Sequence, residues 1–415
     1  MSKINLFSEI GKLEGVILHP PGPEVENMTP KNAERALYSD ILNLAVARKE
    51  YNQLECILQQ ITNAYRVSDL LRDILRSNEV KEKIIKKTCY NEKRPELLDF
   101  LLEKDPVDLS RLLIQGVPLV KETLTNFLSN ENFALRPLHN FFFTRDSSIA
   151  LFDKVLIGKM ANKVREREAL IMEAIFNYHP KLRSQTMVAD DMDITGGNIT
   201  IEGGDVLVVR EDILLIGIGS RTSTHGVDFI MNQLRNEKKK YHLIIQQLPD
   251  KPESFIHLDM VFTLLDKDAC MVYEPLILQP NKYETVHIEL DNGNVKSIRT
   301  VENIPTILKK LGMELEISYC GGIGDSNIQE REQWHSGANF FAIAPGKIIG
   351  YNRNINTLES LNQHGFEVQK ASDFLNQKFN INDFKKLVIT IDGSELARGG
   401  GGARCMTMPF KRENT

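Results

Sequence analysis

The chain has a single tryptophan in 415 residues, only five cysteines, no C-x-x-C pair and no long apolar run. Each shortage argues against a class of protein. The cysteines are odd in number and scattered at 56, 89, 270, 320 and 405. That disfavours a disulfide framework or a cysteine-rich zinc site and fits a reducing compartment. No stretch approaches the roughly 18 apolar residues of a membrane span, and the opening Met-Ser-Lys-Ile-Asn-Leu lacks the apolar segment of a secretory signal. A cytoplasmic protein with no membrane partner is expected. Strong charge of either sign is missing too: a net charge of −5 with a pI near 6.1 provides no concentrated positive field for nucleic acid. Hydrophobic residues at 42% and charged ones at 26% describe a globular chain, long enough for one large domain or a main domain with an insertion.

What is present is an internal repeat. A short strand, a tight turn, a second apolar strand, an amphipathic helix and a third strand recur along the chain. The third copy shows the pattern in full, with strands at 206–209 and 213–218, a helix over 222–234 and a strand at 242–248. A fourth has strands at 260–262 and 270–272, a long excursion, a helix at 304–311 and a strand at 314–319. A fifth pairs 340–343 with 348–351, followed by a helix at 357–364 and a strand at 366–368. A second uses 149–152, 155–157 and a helix at 165–176. The first uses a strand at 15–19, a helix over 42–60 and a strand at 64–67. Each ββαβ unit leaves a sheet face that only a neighbour can bury, so the expected fold is α/β, a five-bladed pseudo-symmetric propeller. Residues 68–135 break the pattern, with Leu, Ile and Lys at helical spacing. They are expected to form an inserted α-helical bundle, leaving 1–67 and 136–415 as the propeller.

Polar clusters stand before the first strand of successive units: Phe143-Thr144-Arg145-Asp146, Glu202-Gly203-Gly204-Asp205 and His257-Leu258-Asp259. The steps from Asp146 to Glu202 and from Glu202 to His257 are 56 and 55 residues. Equivalent positions in a closed ring meet near its axis, which turns a scattered list into one pocket. On a strand, positions i and i+2 face one side, so His257 and Asp259 are expected to point together. The bland reading of such a pair is a solvated sheet edge. Cys405 shifts the balance, since it follows the glycine run 399–402 between Arg398 and Arg404 and reads as a thiol carried on a flexible loop. Taken alone it could be a small buried hydrophobe. Together with Asp146, Glu202, His257 and Asp259 it forms a set suited to attack on a cationic carbon. Two carboxylates match the N–H fork of a guanidinium. A guanidinium is a poor electrophile and calls for a thiolate, with His257 as acid and base and Glu202 holding the imidazole charged.

Further motifs run nearly end to end: Glu9-Ile10-Gly11-Lys12-Leu13, His19-Pro20-Pro21-Gly22, Asn140, Met160 with Arg165 and Glu168, Gly219-Ser220-Arg221-Thr222, Arg331-Glu332-Gln333-Trp334, Tyr351-Asn352-Arg353-Asn354 and Cys405-Met406-Thr407-Met408-Pro409. With these the chain resembles the arginine deiminases of the guanidino-modifying pentein superfamily. The resemblance implies a five-bladed α/β propeller with a helical insertion, no cofactor and no metal. It implies hydrolysis of L-arginine to L-citrulline and ammonia through a covalent thiouronium on Cys405. It further implies that Asp146 and Asp259 clamp the guanidinium, that Asn140, Arg165 and Arg221 receive the α-carboxylate, and that Phe143 lines the pocket and offers its carbonyl to the α-amine. From the residues alone, Arg165 could equally lie on a solvated helix start and Arg221 could cap a turn.

One position departs from the family pattern. The residue five before the cysteine is usually arginine and here is Gly400, which leaves Arg398 or Arg404 to compensate. A related guanidino compound or modified arginine is therefore an alternative substrate, and a non-catalytic arginine-binding protein is the alternative of a different class. A metal enzyme built on His257 and Asp259 would lack a sound third ligand. The expected partner is a small guanidino molecule, and the expected assembly is a homo-oligomer, dimer or tetramer.

Overall fold

The strand Met408–Arg412, near the end of the chain, pairs antiparallel with the first strand, Leu13–Leu18, so both ends of the chain share one sheet. The computed structural model describes residues 3–29, 33, 37–38, 40–189 and 198–415. On its other side Leu13–Leu18 runs parallel to Asn63–Arg66. A parallel neighbour requires a crossover, supplied by the helix Leu44–Ile61. Asn43 caps that helix by accepting from the Val46 amide, and Tyr51, Leu54, Ile57 and Leu58 form its buried stripe.

Four more sheets repeat this plan, an antiparallel pair whose second strand has a parallel neighbour after a helix. Ser148–Leu151 pairs with Lys154–Ile157, which runs parallel to Thr186–Met187. Val206–Arg210 and Ile213–Ile218 are followed by Tyr241–Gln247, and Phe262–Asp266 and Ala269–Val272 by Glu316–Tyr319. Phe341–Ala344 and Lys347–Tyr351 are joined by Leu387–Ile391. The expected ββαβ units are thus present as local structure.

Two features differ from expectation. The excursion after Val272 contains the hairpin Thr285–Asp291 and Asn294–Val301, which adds to Tyr241–Gln247 in the preceding unit and makes that sheet five-stranded. In the last unit the parallel neighbour of Lys347–Tyr351 is Leu387–Ile391, whereas Glu367–Lys370, expected in that place, lies outside it as an edge. Burial explains the order: Leu-Val-Ile-Thr-Ile is buried throughout, whereas Glu-Val-Gln-Lys is mostly exposed and suits an edge.

Within 68–135 lie the helices Asn78–Asn91, Leu98–Leu102, Pro106–Gln115 and Leu124–Leu128, after Val67–Ile74. Ser77, Asp105 and Thr123 cap three of them. Leu71, Ile85, Leu101 and Leu113 share one core cluster with Ile171 and Phe176 of the helix Glu166–Tyr178. Each such buried side chain contributes about 1.5–3 kcal/mol, which seats the helical segment firmly on the second unit. Among the described residues no helix is long and apolar enough to cross a membrane.

Candidate active site

Asp146, Glu202 and His257 each stand shortly before the first strand of a unit, and the fold brings them together. His257 Nε2 lies 3.0 Å from Glu202 Oε2, and its Nδ1 lies 3.8 Å from Asp146 Oδ1. Gly204 lets the ring come this close, because a Cβ there would meet the His257 ring at 2.6 Å. Its amide also donates to Asp146 Oδ1 at 3.2 Å. His257 and Asp259 are not alternate residues of a strand. His257 is extended and the chain turns through a 3-10 turn at Leu258–Met260, with Asp205 accepting from the Leu258 amide at 2.9 Å.

Cys405 closes the cluster. Its Sγ lies 3.8 Å from Asp259 Oδ2, and the residue is only 4% exposed. The segment bearing it is not the loose tail its glycines implied. The Asn339 side chain accepts from the amides of Arg404 and Cys405 and donates to the Asp259 carbonyl at 3.0 Å, fixing the thiol relative to Asp259. Tyr351 donates to the Gly401 carbonyl at 2.8 Å. Glu50, buried in the helix Leu44–Ile61, accepts from the amides of Ser394, Glu395 and Leu396.

Asn339 precedes Phe341–Ala344, and Cys405 precedes Met408–Arg412, the first strand of the pair whose second strand is Leu13–Leu18, so both occupy in their units the place that Glu202 occupies in the third, whereas Glu9 precedes a second strand. Asn339 was not singled out as a site residue, yet extending the repeat to the fifth unit would have found it. Glu9 pairs with Arg404 at 3.1 Å, and Arg404 Nη1 pairs with Asp259 Oδ2 at 2.7 Å. Arg398 instead turns to Asp40 and Glu395. Neither arginine fills the place beside Gly400, which has φ of +82° and nothing within 4 Å of where a Cβ would stand.

Arg165 is buried, and it does not lie on a solvated helix face. It donates to Asp146 Oδ2 at 2.7 Å, to both oxygens of Glu168, and to the carbonyls of Asn140 and Phe143. Arg221 Nη1 lies 3.5 Å from Glu202 Oε2 at the rim. Asn140 and Phe143 are buried beside them, Phe143 with its ring 4.1 Å from that of Phe142.

Burial acts on every charge here, and the partners decide the outcome. It disfavours an imidazolium, yet Asp146, Glu202 and Asp205 raise His257 to about 9. It disfavours a carboxylate, yet His257, Arg221 and Arg165 bring Glu202 down to about 2. For Asp205 and Glu168 burial prevails, raising each to about 7. Burial, then Asp259 and Asp146, push the Cys405 thiol well above the ordinary range. Buried charged partners thus set the ionisation of His257 and Glu202, while burial keeps the Cys405 thiol protonated. Asp146, Glu202 and His257 also place ligand atoms within 4.8 Å of one another. The Arg165 guanidinium already sits on that cluster, 2.7 Å from Asp146 and 3.8 Å from Glu202, and would repel a divalent ion.

Similarity to other proteins agrees with this geometry. The amidinotransferase SxtG of Microseira wollei superposes with a TM-score of 0.55 at 14% identity, covering 100% of this chain and 98% of that one. The N-terminal domain of ArgZ, a cyanobacterial arginine dihydrolase, gives 0.54 at 13%, covering 96% and 98%. A dimethylarginine dimethylaminohydrolase gives 0.51 at 13%, covering 96% and 100%. The fold is the α/β fold of the pentein enzymes. A sequence profile described as arginine deiminase matches residues 34–412. Arginine deiminases of Latilactobacillus sakei and Borreliella afzelii are 31% and 32% identical, covering 100% of this chain and 100% and 99% of theirs. The chain belongs to the arginine deiminase family.

Proposed function

We propose that the protein is an arginine deiminase, a hydrolase of the C–N bond in a linear amidine, that converts free L-arginine to L-citrulline and ammonia. The observation carrying this is the Cys405 thiol 3.8 Å from Asp259, with His257 held as imidazolium by Asp146 and Glu202. Asp146 and Asp259 clamp the substrate guanidinium. A unit charge at about 4 Å is worth roughly 4 kcal/mol at an effective dielectric of about 20, so the bound cation offsets the burial that keeps Cys405 protonated in the free protein. The thiol proton is released to solvent, and the thiolate so formed attacks Cζ. His257 delivers its proton to the departing nitrogen and ammonia leaves, with a thiouronium on Cys405. Neutral His257 then takes a proton from water as its oxygen adds to Cζ, and collapse releases citrulline and restores the thiol.

Arg165, with Asn140 and Arg221, receives the α-carboxylate, and the Phe143 carbonyl receives the α-amine. Arg165 now spends its donors on Asp146, Glu168 and two carbonyls. Turning to a carboxylate makes it release Asp146, and this frees that side chain for the guanidinium. Substrates without an α-carboxylate should therefore fail at the clamp. The open space at Gly400 favours one second reading, a guanidino compound enlarged at its amino-acid end. Turnover of arginine against Nα-acylated and decarboxylated analogues separates the two.

The same reading includes closure of the five sheets into a five-bladed propeller, with 68–135 as a helical insertion domain, a cytoplasmic homo-oligomer and no cofactor. Five sheets of one plan, with Asp146, Glu202, His257, Asn339 and Cys405 at like positions, support the closure. Citrulline formation from arginine, lost in Cys405→Ala, tests the activity. Arginine binding without an adduct on Cys405 or turnover would instead support a binding protein.

A further inference from the structure

Behind the Arg165 segment lies a second polar cleft of about 260 Å³, between the helix end at Thr88–Lys93 and the start of the helix Glu166–Tyr178. Lys93, Arg136, Lys163 and Arg167 line it, against two carboxylates, Glu92 and Glu166. Arg167 is 3% exposed, yet among the described residues neither its Nε nor its Nη1 finds a hydrogen-bond partner. Its Nη1 lies 3.1 Å from Glu92 Oε1 without hydrogen-bond geometry, and its Nη2 donates to the Arg136 carbonyl. The Thr88 hydroxyl, 1% exposed and on the same wall, has no hydrogen-bond partner either. Buried donors without acceptors are costly, about 1–3 kcal/mol each and more for a charged group, and here they share one cleft with three further cations. Among the described residues Arg136 alone of those three is paired with a carboxylate, Glu131, at 3.2 Å.

We propose that this cleft binds a phosphate group, free or as the end of a small metabolite, through Arg167, Lys163 and the Thr88 hydroxyl. Phosphate matches the site in charge and in its number of acceptor oxygens. The cleft is too small for a macromolecule. Lys163, Val164, Glu166 and Arg167 face it, whereas Arg165 and Glu168, on the same turn, face the active site. A dianion held here lies behind Arg165 and weakens its pull on the substrate carboxylate, so bound phosphate raises KM for arginine. That coupling rests on the function proposed above, whereas the binding does not.

Calorimetry of the full chain without arginine, titrated with inorganic phosphate and pyrophosphate against chloride at equal ionic strength, tests the site. Saturable binding of either is expected, weakened about tenfold or more in Lys163→Glu, an exposed position where folding is safe, and in Arg167→Met. Preference between the two probes distinguishes free phosphate from a phosphorylated metabolite. No saturable binding of either probe, or equal affinity in Lys163→Glu and the parent, would overturn the site. With binding established, a KM for arginine that saturating phosphate leaves unchanged would overturn the coupling.

Discussion

Arg404 Nη1 lies 2.7 Å from Asp259 Oδ2, in a chain of buried charges that runs from Glu9 through Arg404 to Asp259 and ends 3.8 Å from the Cys405 thiol. Arg404 and the Cys405 thiol thus meet the same oxygen of Asp259, and the ion pair with Arg404 orients that carboxylate. Burial opposes a charged Glu9, but Arg404 and Arg145 draw it down to about 2. Replacing Arg404 with alanine leaves two buried carboxylates uncompensated. We expect a loss of about 3–5 kcal/mol in denaturant unfolding and a large fall in kcat. Arg404→Lys restores one charge but not the fork to Glu9, so it should recover part of the stability and less of the activity.

Asn339 makes a sharper test of positioning, because it carries no charge. Its side chain ties the amides of Arg404 and Cys405 to the Asp259 carbonyl. Asn339→Ala should cost about 1–3 kcal/mol of stability. It should lower kcat about 10–100-fold with little change in KM, because it misplaces the thiol and leaves the substrate contacts intact. An equal effect on KM would place Asn339 in substrate binding instead.

The pH dependence follows from the His257 and Glu202 pair. His257 is raised from about 6.5 in an unfolded chain to about 9. Its contribution to stability is complete below about 6.5 and is lost as pH rises through about 9. Glu202 is depressed to about 2, so its contribution is present above roughly 4.3 and lost as pH falls through about 2. The first chemical step needs the imidazolium, which places the alkaline limb of kcat/KM near 9. Glu202→Gln removes the partner at 3.0 Å and should move that limb about one unit or more toward neutrality. An unmoved limb would mean that another group sets it.

Arg165 joins the two halves of substrate recognition, since the same side chain pairs with Asp146 and is proposed to receive the carboxylate. The decarboxylated analogue of arginine should bind at least about 100-fold more weakly, consistent with a lost charge-assisted bond and an unreleased clamp. Its competition against arginine in a citrulline assay measures this. Comparable turnover of both would show that Arg165 does not gate Asp146.

The sequence made most of the site legible because the repeat marks equivalent places. Asp146, Glu202 and His257 precede the first strands of their units at nearly even steps, and the fold brings them within hydrogen-bond or ion-pair reach. Asn339 stands at the same place in a unit where the chain shows no acidic-glycine or His-x-Asp signal. Glu50 was invisible for a different reason: it binds backbone amides more than 340 residues away, and backbone has no sequence signature. The glycine run before Cys405 implied looseness, whereas Tyr351, Asn339 and Glu50 hold that segment from three separate elements. The exchange of Glu367–Lys370 for Leu387–Ile391 had the same origin, since both runs can be strands and only burial tells the centre from the edge.

The most direct test of the central claim is rapid quenching of the protein mixed with L-arginine, followed by mass analysis of the peptide bearing Cys405 and by citrulline and ammonia assay. The account predicts a transient adduct on Cys405 that retains the guanidino carbon and has lost one nitrogen as ammonia. It also predicts one citrulline and one ammonia for each arginine, and neither from Cys405→Ala. Citrulline formation by Cys405→Ala at the parent rate, or none from the parent protein at high concentration, would contradict it.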